Sequence, residues 1–287
     1  MVEPCAGARR KPRGRSCSAP REGPLSAAVE GLADGAWSLG LVAFSIYLVS
    51  GAVKGLLGIG LPTMAIGAMA QFVDVRLAVA LAIVPMLLAN AWQISRGGEP
   101  LALSRRVLRR HHALAAGMLL TLAAVAPFAT RVPLAGVTLA LGIVMVTFAV
   151  ASLWREPPPL PERLDVPAQW IAGAVAGIFG GLAGVWAPPI IVYLGARRLQ
   201  PGAFVETVGV LLFVGSVVLC AGYAWSGALD GRTALLSLAL TLPAIGGYAL
   251  GERLRRRVPA SAFRRLVLGF FFIMGANLLR RVLSGGV

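Results

Sequence analysis

Apolar residues run in long unbroken stretches along this chain, and charged or proline-rich segments fill the gaps between them. The stretches cover 37–57, 62–72, 77–95, 113–130, 133–154, 167–184, 187–196, 203–226, 232–250 and 262–283. Their length and lack of charge predict membrane-crossing helices. Two of them, 62–72 and 187–196, are only ten or eleven residues long. At about 1.5 Å per residue such a helix reaches half-way through a hydrocarbon core of ~30 Å. Each follows a glycine-rich break, so each reads as the second part of an interrupted or re-entrant helix.

The chain also repeats itself. Gly51-Ala-Val-Lys-Gly-Leu-Leu-Gly58 aligns with Gly173-Ala-Val-Ala-Gly-Ile-Phe-Gly180 at an offset of 122, and Pro62 and Asn90 align with Pro188 and Ser216 at an offset of 126. A lone Gly-x-x-x-Gly is a common packing device in membrane helices. Its recurrence before a proline-started short helix in both halves predicts a duplication. The expected fold is an all-α polytopic membrane protein of two homologous halves, each of four to five helical segments with one interrupted helix. A basic tail expected to be disordered (1–34) precedes a first membrane repeat (35–154). A proline-rich linker (155–166) then leads into a second repeat (167–287). If the two arginine-rich loops, one after the third segment and one near Arg255, share a side, the halves are oppositely oriented. That count puts the basic tail on the other side. Eight full crossings with two re-entrant pieces bring the tail back but misplace the second basic loop, and both topologies stay open.

Composition sharpens the membrane reading. Only 14% of the 287 residues are charged and 57% are hydrophobic, with a mean hydropathy of +0.77; a soluble domain needs about a quarter charged. Between Trp37 and Ile94 the charged residues are Lys54, Asp74 and Arg76 alone. The net charge of +15 does not point to nucleic acid, because the arginines cluster at span edges, as an excess of cytoplasmic positive charge requires. Cys5, Cys17 and Cys220 are too scattered for a disulfide framework or a zinc site. Neither a cofactor nor a metal is called for.

Candidate chemistry gathers at the breaks. An interrupted helix presents free backbone N–H groups and a positive dipole end at the start of its second part. Such groups are tolerated in a bilayer only against protein or an aqueous cavity. Gly58, Gly60 and Pro62 mark the first break; Gly180, Gly181, Gly184, Pro188 and Pro189 mark the second. Their alternative role is tight helix crossing. Lys54 lies inside the first motif, where a buried cation costs at least about 2.5–3.5 kcal/mol; it faces either an anionic substrate or a nearby interface. Asn90 and Gln93, three apart, share a helical face and serve either a ligand or helix association. Thr207 joins them as a candidate substrate-binding residue. Its neighbour Glu206 is a candidate proton-coupling group or counter-ion for Lys54, or a carboxylate complementing a helix start. His111 and His112 point to different sides of a helix and are expected at the interface. Trp37, Trp154, Tyr223 and Trp225 fit an aromatic belt.

The phrase Gly51-Ala-Val-Lys-Gly-Leu-Leu-Gly-Ile-Gly-Leu-Pro62, followed by Asp74-Val-Arg-Leu-Ala-Val-Ala and Asn90-Ala-Trp-Gln93, resembles the TauE/SafE sulfite exporter family. Gly177-Ile-Phe-Gly-Gly-Leu-Ala-Gly-Val-Trp-Ala-Pro-Pro189 is similar to that family's second glycine-proline signature. The resemblance covers roughly 37–283. It implies a multi-pass bacterial inner-membrane permease for sulfite, sulfonates or related small organic anions, driven by ion gradients. Its expected partners are a small anionic substrate and the lipid bilayer. Two other classes compete. One is a non-transporting subunit of a larger membrane complex. The other is an intramembrane enzyme, against which stand the absence of Gly-x-Ser-x-Gly and His-Glu-x-x-His and the distance of both histidines from Ser45 and Ser50.

Overall fold

The computed structural model describes residues 37–96, 98–129, 131–153, 159–254 and 260–285. The described residues form eleven α-helices, two 3-10 turns and no strand. In chain order these are α1 (Trp37–Leu57), α2 (Leu61–Met69), α3 (Val75–Ser95), α4 (Pro100–Arg110), α5 (His112–Val125), α6 (Leu134–Leu153), α7 (Asp165–Ala183), α8 (Ala187–Ala196), α9 (Pro201–Trp225), α10 (Gly231–Leu254) and α11 (Ala260–Leu283). Six helices among the described residues, α1, α3, α6, α7, α9 and α10, are long and apolar enough to cross a membrane; α4 and α5, bent by 94°, add a seventh if counted as one span.

Local chemistry sets the boundaries. Asp74 caps α3 by accepting from the Arg76 amide at 2.6 Å, and Asp230 caps α10 by accepting from the Thr233 amide at 2.8 Å. That bond from Thr233 holds the Asp230 carboxyl below its ordinary range. Proline opens α4 and α9, and stands in the first turn of α2 and α8, where its missing N–H costs nothing. Inside α3, Pro85 deprives the Leu81 carbonyl of its helical donor. Ser237 of α10 supplies it, donating to Leu81 O at 2.8 Å and accepting from the Val84 amide at 3.1 Å. Asp165, at the start of α7, receives Tyr193 Oη at 2.7 Å and Gln169 Nε2 at 3.0 Å, with Arg197 Nε at 3.3 Å.

Glycine fixes how the long helices pack. A methyl group at Gly51, Gly55, Gly247 or Gly251 would overlap a backbone carbonyl across the α1–α10 contact. The same holds for Gly173 and Gly177 against α5. Backbones this close gain dispersion contacts where lipid offers no hydrophobic drive. The pairs also give direction. Gly51 and Gly55 meet Ala244 and Tyr248, and Ser237 and Arg96 join Leu81 and Glu252 across α3 and α10. So α1, α3 and α10 are parallel and finish at the end marked by the Arg96–Glu252 ion pair (2.9 Å). Gly173, Gly177 and Gly181 meet Leu114, Met118 and Val125, so α5 and α7 are parallel to each other. With α9, which begins against Gly58 and Gln93 and ends against Ala126, they leave that same end. Outward, large apolar side chains such as Leu41, Ile171, Leu242 and Ile273 are exposed, as a lipid-facing surface requires.

Several expectations need correction. Residues 100–110 form a helix where an arginine-rich loop was expected; its charge hid a helical period. Helix α7 begins at Asp165, within the stretch read as linker. Tyr223 is fully buried and does not belong to an aromatic belt, whereas Trp225 is 87% exposed. His111 is buried and edge-on to Tyr193, while His112 is exposed. The tail (1–34) with Cys5 and Cys17, and Trp154, lie outside the described residues, as do the side-chain surroundings of Trp37.

Candidate functional site

Lys54 stands in the last turn of α1 and is 1% exposed. It does not reach for an interface. Its Nζ donates to Asn90 Oδ1 at 2.7 Å and to Gln93 Oε1 at 2.7 Å, which are the two residues that share a face of α3. Among the described residues it has no ion pair. An ammonium has three protons and no acceptor, so both amides must turn their oxygens to Lys54 and present their NH2 groups elsewhere. Gln93 Nε2 donates to Val205 O at 3.3 Å, tying α3 to α9. The Asn90 NH2 is buried with no partner.

Two further donors lie on the same stripe of α1. Ser50 and Tyr47, four and seven residues before Lys54, are completely buried, and neither hydroxyl has a partner among the described residues. A buried polar group left unsatisfied costs about 1–3 kcal/mol, and native interiors carry few of them. Sequence reasoning weighed Ser50 only as a nucleophile and did not single out Tyr47, so it placed neither beside Lys54. Their signal was the spacing to Lys54, which puts all three on one helical face.

The break after α1 takes the expected form. Gly58 and Gly60 have φ of 78° and 104°, values that glycine alone adopts without strain. They turn the chain so that α2 starts beside Val53 and Phe271, half-way along α11, with Pro62 in its first turn. Gly60 offers no side-chain cap, so the Leu61 and Thr63 amides at this positive helix end lack partners within α2. Gly184 (φ 68°) ends α7, and Ala187, Pro188 and Pro189 open α8. Trp186, at the N-cap of α8, packs against Gly180 and Gly215, and its buried indole N–H has no partner among the described residues. Gly181 packs on Val125 and Ala126, and Gly184 on Ile66 and Val79. Thus Lys54, Asn90 and Gln93 come together, while the Gly180–Pro188 group forms a second centre displaced along α3. Thr207 is buried on α9, two residues from the Val205 carbonyl that Gln93 holds. Glu206 is exposed and makes no ion pair with Lys54.

A cation sealed within apolar helices, beside unsatisfied donors and a broken helix, defines the class: a polytopic helical membrane protein with a buried, donor-rich polar centre. The family model described as "Sulfite exporter TauE/SafE" matches residues 43–278, and the chain belongs to that family. It is 25% identical over 149 residues to a "Probable sulfite/organosulfonate exporter TauE" of Cupriavidus necator (strain H16). The aligned segment covers 52% of this chain and 58% of that relative, so the chain matches little more than half the relative's length. No solved structure matches the chain.

Proposed function

We propose that this protein carries a small anion (sulfite, an organosulfonate or a related organic anion) across the cell inner membrane by alternating access, driven by an ion gradient. The observation that carries the reading is the buried Lys54 ammonium, held by two neutral amides with no carboxylate to balance it among the described residues. A buried charge is tolerated when a partner completes it, and an oxyanion would accept from Lys54, from the Asn90 NH2 and from the Ser50 hydroxyl together. Family membership and the printed name of the Cupriavidus relative point to the same class of substrate.

Alternating access needs two halves that can exchange roles, and 35–154 and 167–287 are proposed as an inverted pair. Support comes from the breaks: Gly58 packs on Val205, and Gly184 packs on Val79. Position 184 follows 58 by the same 126 residues that separate 79 from 205, so each break seats on the other half's equivalent valine. Helices α1 and α7 also run in opposite directions. Helices α3 and α10 finish at one end, and the arginines that follow both helices in the sequence assign that end to the cytoplasm by positive-inside sorting. Gly58, Gly60 and Pro62, with Gly180, Gly181, Gly184 and Pro188, are proposed as the backbone elements of the site. Glu206, beside buried Thr207 on α9, is the proposed proton-coupling carboxylate.

Flux of sulfite, taurine-like sulfonates, sulfoacetate and small carboxylates into proteoliposomes tests the reading. Saturable flux of at least one is expected, reduced at least about tenfold by Lys54→Met at equal insertion. Absence of saturable flux for every anion overturns the transport function. Undiminished flux in Lys54→Met removes Lys54 from the site.

A further inference from the structure

Helix α4 lies nearly perpendicular to α5, bent from it by 94°, at the end of the bundle where α3 finishes. Its two faces differ sharply. Leu103 and Leu108 are partly buried against the core and Val107 is fully buried. Ala102, Arg105, Arg106 and Arg109 recur at i, i+3, i+4 and i+7 on the outer face, with Arg110 beside them. All four arginines are exposed, and they line a shallow groove of about 520 Å³ floored by Ala102. None of them forms an ion pair among the described residues. Leu101, next to Ala102 in the chain and one turn before Arg105, is 86% exposed. A helix with a basic face, an apolar face and a perpendicular set against a crossing helix has the form of an interfacial segment.

We infer that the groove formed by Arg105, Arg106, Arg109 and Arg110 on α4 binds the headgroup of an anionic phospholipid. Guanidinium groups match phosphate oxygens bidentately and are weakly hydrated. The small side chain of Ala102 leaves the floor open, and exposed Leu101 offers an apolar surface for the acyl chain. The position also fits, since α4 follows α3 closely in the chain and α3 finishes at the end marked by the Arg96–Glu252 pair. A soluble anion would find the guanidinium groups but not the apolar flank. Each arginine near an anionic surface contributes about 1 kcal/mol, or roughly fivefold in binding.

The test is native mass spectrometry of the detergent-solubilised protein titrated with phosphatidylglycerol, phosphatidylcholine or inorganic phosphate. Wild type is expected to bind phosphatidylglycerol in preference to the other two. R105Q/R106Q/R109Q/R110Q is expected to bind it at least tenfold more weakly, with phosphatidylcholine binding and melting temperature unchanged. A smaller fall in affinity, or equal binding of inorganic phosphate by wild type, overturns the proposal. Should the fourfold variant fail to fold, R105Q/R106Q replaces it, with a fivefold fall as the threshold. Anion flux plays no part in this readout, so the lipid site stands or falls apart from the transport reading.

Discussion

At the scale of single residues, burial does what charge alone could not announce. Lys54 was legible as a cation inside an apolar run, but that it stays away from the interface was decided only by the two amides that hold it inward. Asn90 and Gln93 were legible as a pair because i and i+3 share a face. Ser50 and Tyr47 were not, since a serine and a tyrosine in an apolar helix are ordinary until their hydroxyls prove unpartnered. His111 offers a pH test outside the spans, at the α4–α5 bend. Burial first, then the neighbouring Arg110 charge, hold its imidazole below its ordinary 6.5, and Asp165 opposes them only in part. The folded protein therefore binds fewer protons than the unfolded chain just below that value, so stability falls as pH falls through this window. The melting temperature of the wild type in detergent is expected to drop as pH falls below about 6.5. His111→Gln should flatten that slope; an unchanged slope would assign the pH dependence to other groups.

At the scale of helices, glycine content is informative only once partners are known. Gly246 and Gly251 stand five residues apart on α10 and look alike in sequence. A methyl at Gly251 would overlap the Ala52 carbonyl on α1, whereas Gly246 has nothing within 4 Å. Gly251→Ala should thus separate two helices and lower the yield of folded protein, by a cost of about 1–3 kcal/mol as in other overpacked sites. Gly246→Ala should be neutral or raise the melting temperature, because alanine is favoured over glycine in a helix by about 1 kcal/mol. Equal behaviour of the two variants would show that the α1–α10 crossing does not depend on backbone contact. The same scale explains the missed helix. Periodicity in 100–110 is carried by Leu103, Val107 and Leu108 between four arginines, too few apolar positions to stand out in an arginine-rich segment. Pro100 in the first turn was the available signal.

For the whole molecule, the contacts make a directional prediction. The start of α5 and the end of α10 lie at one end, and the end of α11, held by Arg281 and Asn277 to Ala70 and Gln71 just after α2, lies at the other. A cysteine placed at Ser284 should react with an impermeant maleimide from the side opposite to one placed at His112; labelling of both from one side would refute this topology. Apolar run length and the scarcity of charge determined by themselves that the chain is a multi-pass helical membrane protein, because lipid is the only solvent for so much apolar surface. Glycine and proline likewise fixed where α1 and α7 must break, since backbone conformation there is a local property. Tertiary structure alone decided which helices pair and in which direction. It also decided that Lys54 turns inward to Asn90 and Gln93 while Glu206 turns away. Those outcomes depend on contacts between residues tens to hundreds of positions apart, which a local pattern does not encode.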